Sequence, residues 1–365
     1  MSRTLSARIR ERIALAGGWV RFDRYMEFVL NEPGLGYYSA GSAKFGAEGD
    51  FVTAPELGSF LARAIATQFS GMLGSFANPA IVEVGAGNGT LAAQLLDALA
   101  ELGSEAVRYL ILEPSAELRD RQRAELRRFG SRVRWLDRLP EQPIEGLILA
   151  NEVVDALPVV RFVKRGGATV PLGVRCRAGR FEWAEGREDA DLSEAVTSLE
   201  SMLGERLPDG YRSEVRLVLR GWINGLAAAL ARGAVLLVDY GGVRREYYHR
   251  ERRDGTLICH YRHRAHDDPF FLPGLQDLSA WVDFSACADA ARDAGLAVAG
   301  FTTQGLYLVE SAADATEPVS LDPRTASAFR TLVLPGEMGE RFKLLLLTKA
   351  IVPPRLPGRD LRSRL

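Results

Sequence analysis

The run Ile81-Val82-Glu83-Val84-Gly85-Ala86-Gly87-Asn88-Gly89-Thr90-Leu91 constrains this chain more than any other stretch. It reads as a buried strand that enters a glycine-rich turn and leaves it as a helix. Such a turn lets the backbone approach a ligand closely, and the helix that follows offers it unpaired N–H groups. A strand, a tight turn and a helix in this order form the first unit of a doubly wound α/β sheet, so they restrict the fold as well as the ligand.

The spacing argues against a dinucleotide. Thr90 stands where the pattern G-x-G-x-x-G requires its last glycine, and Glu83 lies two residues before Gly85. A carboxylate beside the turn repels a pyrophosphate but suits the cationic amino-acid end of S-adenosylmethionine (SAM). A second apolar run, 108–112, ends in Glu113, where this fold places the acid that accepts hydrogen bonds from ribose hydroxyls. Glu83, Gly85, Gly87, Gly89 and Glu113 are therefore candidate cofactor residues, with Asp137, after the next expected strand, as a further acid on the same edge.

The βαβ rhythm extends along the chain. Strands are expected at 80–85, 108–113, 133–136, 145–150, 234–239, 296–303 and 342–349, with helices at 90–101, 116–128, 215–231 and 285–294. The expected architecture is a Rossmann-like class I methyltransferase sheet. A helical segment over 1–75 precedes it, with helices at 6–16, 22–30 and 56–73. Insertions interrupt it at about 159–212 and 240–283, the first containing an antiparallel hairpin. The main domain spans 76–352, and the Pro/Arg-rich tail 353–365 is expected to fray.

The chain of 365 residues has 46 basic and 47 acidic side chains, a formal net charge of −1, which gives no overall electrostatic case for nucleic acid or anionic lipid. Cys176, Cys259 and Cys287 are odd in number and widely separated, which points to a reducing, cytoplasmic setting. No apolar run reaches membrane-spanning length. All 4 histidines fall within 249–266, but Arg262 and Arg264 among them would oppose a divalent cation, so no metal site is expected. The stretch reads as a lid or acceptor-recognition loop, with His260 and His263 as candidate substrate contacts.

In an open α/β sheet, ligands sit outside the carboxyl ends of the strands. The fourth strand ends in Asn151-Glu152-Val153-Val154-Asp155 and the fifth in Asp239-Tyr240-Gly241-Gly242. Glu152 and Asp155 can hold a guanidinium between two carboxylates and leave a nitrogen lone pair aimed at a sulfonium methyl, while Asn151 offers an amide. Asp239 and Tyr240 lie on the same edge as candidate substrate contacts.

Beyond these local readings, the chain resembles the MidA-like SAM-dependent methyltransferases. The likeness is carried by Gly34-Leu35-Gly36-Tyr37-Tyr38, Gly49-Asp50-Phe51-Val52-Thr53-Ala54-Pro55-Glu56, the glycine turn, Asn151-Glu152 through Asp155-Ala156-Leu157-Pro158, Arg253-Asp254-Gly255-Thr256-Leu257, the histidine stretch, Gly274-Leu275-Gln276-Asp277 and Pro335-Gly336-Glu337-Met338-Gly339. The resemblance implies that 49–55 folds over the cofactor, bringing in Asp50 and Thr53, and that Asn151 and its acidic neighbours face the acceptor. Mitochondrial members of the family are complex I assembly factors that dimethylate an arginine of a core subunit. The resemblance therefore implies a protein acceptor, with a respiratory-complex subunit as the model. Two other functions compete: an assembly chaperone that keeps the fold as a scaffold, and a methyltransferase acting on a small molecule or RNA.

Overall fold

The glycine turn follows an interior strand of an eight-stranded sheet in the computed structural model, which describes residues 2–39, 53–313 and 322–365. The long strands are β1 (Ala80–Val84), β2 (Arg108–Leu112), β3 (Val133–Leu136), β4 (Ile144–Asn151), β5 (Leu230–Gly242), β6 (Ala297–Thr303) and β7 (Phe342–Lys349). Their spatial order is β6-β7-β5-β4-β1-β2-β3, with the short strand Val282–Asp283 beside the end of β5. Strands β1 to β5 run parallel, while β7 is antiparallel to both β5 and β6. The chain winds outward from β1 through β2 to β3, then returns to start β4 on the other side of β1. That reversal opens a crevice at the carboxyl ends of β1 and β4.

Both faces of the sheet are covered, which is why its strands read as continuous apolar runs rather than alternating ones. Ile81, Leu147, Leu149 and Leu236 pack in one cluster with residues of the helices Phe60–Gly74 and Thr90–Glu101. Val82, Ile148 and Leu237 pack in the other with the helices Leu219–Ala229 and Phe284–Asp293.

A second sheet of five strands lies outside this frame. Trp19–Arg21, Ala168–Arg177, Val160–Arg165 and Arg212–Val215 are neighbours in that order, and Arg180–Glu185 pairs with Ala168–Arg177. The expected hairpin is present, turning at Gly166-Gly167 and again at Ala178-Gly179, all four with positive φ. The helices Ser2–Leu15 and Phe22–Asn31 contribute Leu5, Ile9, Phe22, Tyr25 and Val29 to a cluster with Val159 and Val174 of this insertion. The N-terminal segment thus supplies a strand as well as helices, and shares a core with the first insertion. A three-stranded sheet, Arg264–His266, Ile258–Tyr261 and Asp277–Ser279, completes the second insertion.

Three expectations are corrected. The helix expected over 56–73 is a short 3-10 turn, Ala54–Leu57, and then a helix from Phe60, because Gly58 at φ 141° breaks the run between them. The helix expected from 215 starts at Leu219, because Arg212–Val215 belongs to the second sheet. The tail is docked rather than frayed: Leu361 and Leu365 pack on the core, and the Leu361 N–H donates to Phe301 O at 2.7 Å. The apolar anchors in the tail outweigh its Pro/Arg composition. Asp50 and the loop around it lie outside the described residues.

Candidate active site

The crevice between β1 and β4 opens into a cavity of about 1470 Å³. One end is lined by the glycine turn, Glu83, Glu113 and Asp137, the other by Asn151, Glu152, Asp155, Tyr38, Tyr240, His260 and Asp277. The sequence candidates from strand ends far apart in the chain therefore meet in one space.

At the first end, Gly85, Gly87 and Gly89 have φ of 66°, 56° and 89°. A Cβ on Gly85 would stand 3.1 Å from Val153 Cγ2, so this glycine also allows β1 to sit close to the turn after β4. Gly89 occupies the N-cap of the helix Thr90–Glu101 and does not line the cavity. Glu83 is 2 % exposed and accepts the Tyr109 hydroxyl at 2.8 Å. Burial pushes its carboxyl up to about 7, with Tyr109 opposing the shift and Glu113 adding to it. Glu113 accepts from Ser115 N at 2.9 Å and from Gln122 Nε2 at 3.3 Å, which fixes its carboxylate at the end of β2. Asp137 lines the cavity from an exposed position and pairs with Arg119 Nη1 at 2.7 Å.

Thr53 lines the cavity and N-caps the 3-10 turn: its backbone N–H donates to Glu56 Oε2 at 3.0 Å. Glu56 Oε1 in turn accepts from Asn88 Nδ2 at 3.4 Å, and Gln94 Nε2 donates to Pro55 O at 2.9 Å. The segment entering at Thr53 is thereby bound to the glycine turn.

At the second end, Glu152 has φ 53°, a left-handed conformation that costs a non-glycine residue about 1–2 kcal/mol. The turn is held there from below. Glu152 N donates to Val238 O at 2.8 Å, and Asp239 Oδ2 accepts from the backbone N–H groups of Val153, Val154 and Asp155 at 3.2, 2.9 and 3.2 Å. Burial pushes the Glu152 carboxyl up to about 8, and Asp155 beside it adds to the shift. Burial also raises Asp155, against the pull of the Arg216 guanidinium. Arg216 donates to the carbonyl oxygens of Leu157, Asp155, Ala280 and Trp281, placing a cation beneath the acids. Asn151 Nδ2 lies 3.4 Å from Glu152 Oε1, while Asn151 Oδ1 and Asp155 Oδ1 are buried and accept no hydrogen bond from the described residues.

Two candidate substrate contacts are corrected. Asp239 does not line the cavity: it is 1 % exposed, and its oxygens are taken by the 153–155 turn and by Tyr240 N, so it builds the site from behind. His263 is exposed at the tip of the hairpin joining Ile258–Tyr261 to Arg264–His266, where it and Arg262 have φ of 59° and 49°. That two-residue turn points it away from the cavity, which His260 and Tyr240 do line.

At the second end the sequence reading assigned no role to Tyr38, Asp277 or Ser279, which join the expected contact Tyr240. Tyr38 donates to Asp277 Oδ1 at 3.0 Å, and the Tyr240 hydroxyl donates to Ser279 Oγ, so a third carboxylate and two aromatic rings join Glu152 and Asp155. Tyr38 and Asp277 stand inside the motifs that carried the family resemblance, which was the only sequence signal for them. Cavity-facing acids at one end thus confront a glycine turn at the other. This arrangement can hold a cation against a bound cofactor.

The chain is similar to known proteins. Residues 60–302 match the family model described as "Putative S-adenosyl-L-methionine-dependent methyltransferase". A crystal structure from Burkholderia thailandensis, bound to S-adenosyl-homocysteine, superposes with a TM-score of 0.88 at 40% identity, covering 98% of this chain and 96% of that one. The mitochondrial protein arginine methyltransferase NDUFAF7 of Mus musculus is 30% identical over 376 residues, covering 90% of this chain and 81% of that protein. The Drosophila melanogaster homolog is 27% identical over 395 residues, covering 97% and 86% respectively.

Proposed function

Since the chain belongs to the S-adenosyl-L-methionine-dependent methyltransferases, in the MidA-like family its motifs resemble, we propose that it methylates an arginine side chain on a partner protein. SAM supplies an electrophilic methyl group on a sulfonium. The residues at the first end of the cavity fit it. Gly85 and Gly87 at positive φ allow close backbone approach, Glu113 offers a fixed carboxylate to ribose hydroxyls, and Glu83 and Asp137 face the same space.

One observation favours a guanidinium at the other end: Asn151 Oδ1 and Asp155 Oδ1 are buried hydrogen-bond acceptors without donors, beside the carboxylate of Glu152. A guanidinium carries five N–H donors in a planar fork and satisfies such acceptors pairwise. In this reading Glu152 and Asp155 hold the cation, and Asn151 orients it. As the new N–C bond forms and the sulfonium C–S bond breaks, one proton must leave the guanidinium nitrogen. The ionised carboxylate of Glu152, whose hold on a proton burial pushes up to about 8, accepts it. Placement and electrostatics carry the remainder, so no covalent nucleophile is required.

The names of the mitochondrial relatives support a protein acceptor, and the family resemblance makes a respiratory-complex subunit the first one to test. No helix among the described residues is long and apolar enough to cross a membrane, and the three unpaired thiols favour a reducing compartment such as the cytoplasm. The test is mass spectrometry of captured partner proteins from cells with and without this chain, together with single-turnover methylation by Glu152→Gln and Asp155→Asn. The reading requires methylarginine that disappears with the chain, and amide variants that bind SAM but transfer slowly. Methylation confined to another side chain, or amide variants as fast as wild type, overturns it.

A further inference from the structure

The wall of the cavity at its acceptor end carries a cation with no counterpart. The Arg252 guanidinium carbon lies 4.2 Å from the centre of the Trp281 ring, and both residues line the same cavity as Asn151 and Glu152. Arg252 Nε is buried without a partner, and no side chain or carbonyl among the described residues accepts a hydrogen bond or forms an ion pair with this guanidinium. Its neighbours differ. Arg216 is surrounded by four carbonyl oxygens, and Arg244 pairs with Asp289 and Asp283.

The stacking platform is itself fixed. Trp281 N donates to Thr256 Oγ1 at 3.0 Å, Thr256 is tied to the fully buried Glu214, and the Trp281 carbonyl accepts from Arg216. A guanidinium held over an indole face by its carbon keeps N–H donors free to engage a carboxylate, with two parallel bonds where the fork is presented edge-on. Arg252 is half-buried and its buried Nε–H lacks a partner, so an acceptor arriving with the substrate gains by pairing with it.

We propose that Arg252 is a specificity-determining residue that binds an aspartate or glutamate flanking the acceptor arginine, a reading that rests on the arginine acceptor argued above. The charges of the cavity favour this occupant. Glu152, Asp155 and Asp277 repel a multiply charged anion, whereas a segment carrying one arginine and one nearby acid matches both signs. Acceptor segments made only of glycine and arginine leave Arg252 unpaired and bind more weakly.

The experiment is calorimetric titration of the full chain, saturated with S-adenosyl-homocysteine, with short glycine–serine peptides. Each carries a central arginine and a single aspartate moved from three positions before it to three after, with an acid-free peptide as reference. Aspartate at one position or more should tighten binding by roughly tenfold, the scale of a charge-assisted pair, and Arg252→Gln should erase the gain. In Arg252→Glu the preference should pass to peptides with lysine in place of the aspartate. No gain at any position in wild type, a gain that survives in both variants, or no binding by any peptide overturns the inference. Replacing the central arginine by citrulline separates the two readings. An acid preference that persists on citrulline peptides and vanishes in Arg252→Gln supports Arg252 while removing the arginine acceptor. Arginine-dependent binding with no acid preference overturns Arg252 alone.

Discussion

Gln122 Nε2 donates to the carbonyl oxygen of Gly87 at 2.9 Å. The same fully buried amide reaches Glu113 Oε2 at 3.3 Å, and its oxygen accepts from Trp135 Nε1 at 2.9 Å. One side chain on the helix Ala116–Glu125 therefore ties the glycine turn to the acid at the end of β2 and to β3. The cofactor end of the cavity is braced by a residue that no glycine motif announces.

Gln122→Leu removes this brace at nearly constant volume and leaves the Trp135 N–H buried without a partner. The expected cost is about 1–3 kcal/mol of stability, with weaker SAM binding because Gly87 and Glu113 lose their common support. Thermal unfolding and SAM titration check both effects. A variant with wild-type melting and wild-type affinity would mean that the brace has no energetic role.

Gly85→Val should lose SAM affinity by a large factor. At φ 66° a β-branched residue is strained, and its Cβ would meet Val153 Cγ2 at 3.1 Å, on the side where β1 faces the acceptor turn. The substitution therefore disturbs both ends of the cavity, and Gly85→Ala should fall between it and wild type. Titration read beside circular dichroism tests this. Native spectra with unchanged affinity would remove the cofactor from this turn.

The cofactor end was legible because its chemistry is contiguous: Glu83 to Thr90 is a single run, and Glu113 follows one βα unit later. Asn151, Glu152 and Asp155 were legible for the same reason. Asp239 was not, because a strand-end acid reads the same whether it faces a ligand or caps a turn, and only the three N–H groups of 153–155 decide between these. Tyr38, Arg252 and Trp281 come from loops, and Asp277 from a strand of the third sheet, whose placement depends on the second and third sheets. That placement is a long-range pairing problem, as in the register of Trp19 against Arg175, and no local period encodes it. The docked tail escaped notice because composition suggested a loose end while three spaced leucines, 356, 361 and 365, supplied the contacts.

Asp239→Asn separates structural support from substrate contact. The amide keeps one acceptor oxygen but turns an NH₂ toward groups that were paired, so the 152–155 turn loosens. Stability should fall by about 1–3 kcal/mol and turnover with it. The decisive readout is whether peptide affinity per folded molecule stays near wild type. A variant of native stability with peptide binding selectively lost would return Asp239 to the substrate side.

The raised acids make stability depend on pH in a stated direction. Glu152 and Glu83 have carboxyls pushed up to about 8 and about 7, above their unfolded values, so the native state binds more protons than the unfolded chain across that range. Stability without ligand should therefore fall as pH rises from about 5 to about 8.5. Glu152→Gln should flatten the upper part of that fall. In the same variant series kcat/KM should rise toward pH about 8 in wild type, as the acceptor-holding carboxylate ionises, and lose that limb in Glu152→Gln. A melting temperature that climbs through this range would contradict the assignment.

Glu152→Gly offers the sharpest test, because it sets fold against function at one position. The wild-type residue is held at φ 53°, where glycine meets no steric penalty, and its side chain projects into the open cavity rather than into packed core. Relief of the left-handed strain offsets the extra flexibility glycine has in the unfolded chain, so the two contributions nearly cancel near pH 4.5, where the carboxyl does not yet favour the unfolded chain. As pH rises from there the wild type must keep protonated, and above pH 8 ionise, a desolvated carboxyl that the variant lacks, so at pH 8 and above the glycine variant should be the more stable by about 1 kcal/mol or more. Turnover should meanwhile disappear, because the carboxylate that holds the cation and receives its proton is gone. A position where the native residue is the less stable choice is one retained for chemistry. Thermal melts at the two pH values, read beside single-turnover methylation, check this. A glycine variant that melts lower than wild type at high pH, or that still transfers methyl groups at the native rate, would falsify the role assigned to Glu152.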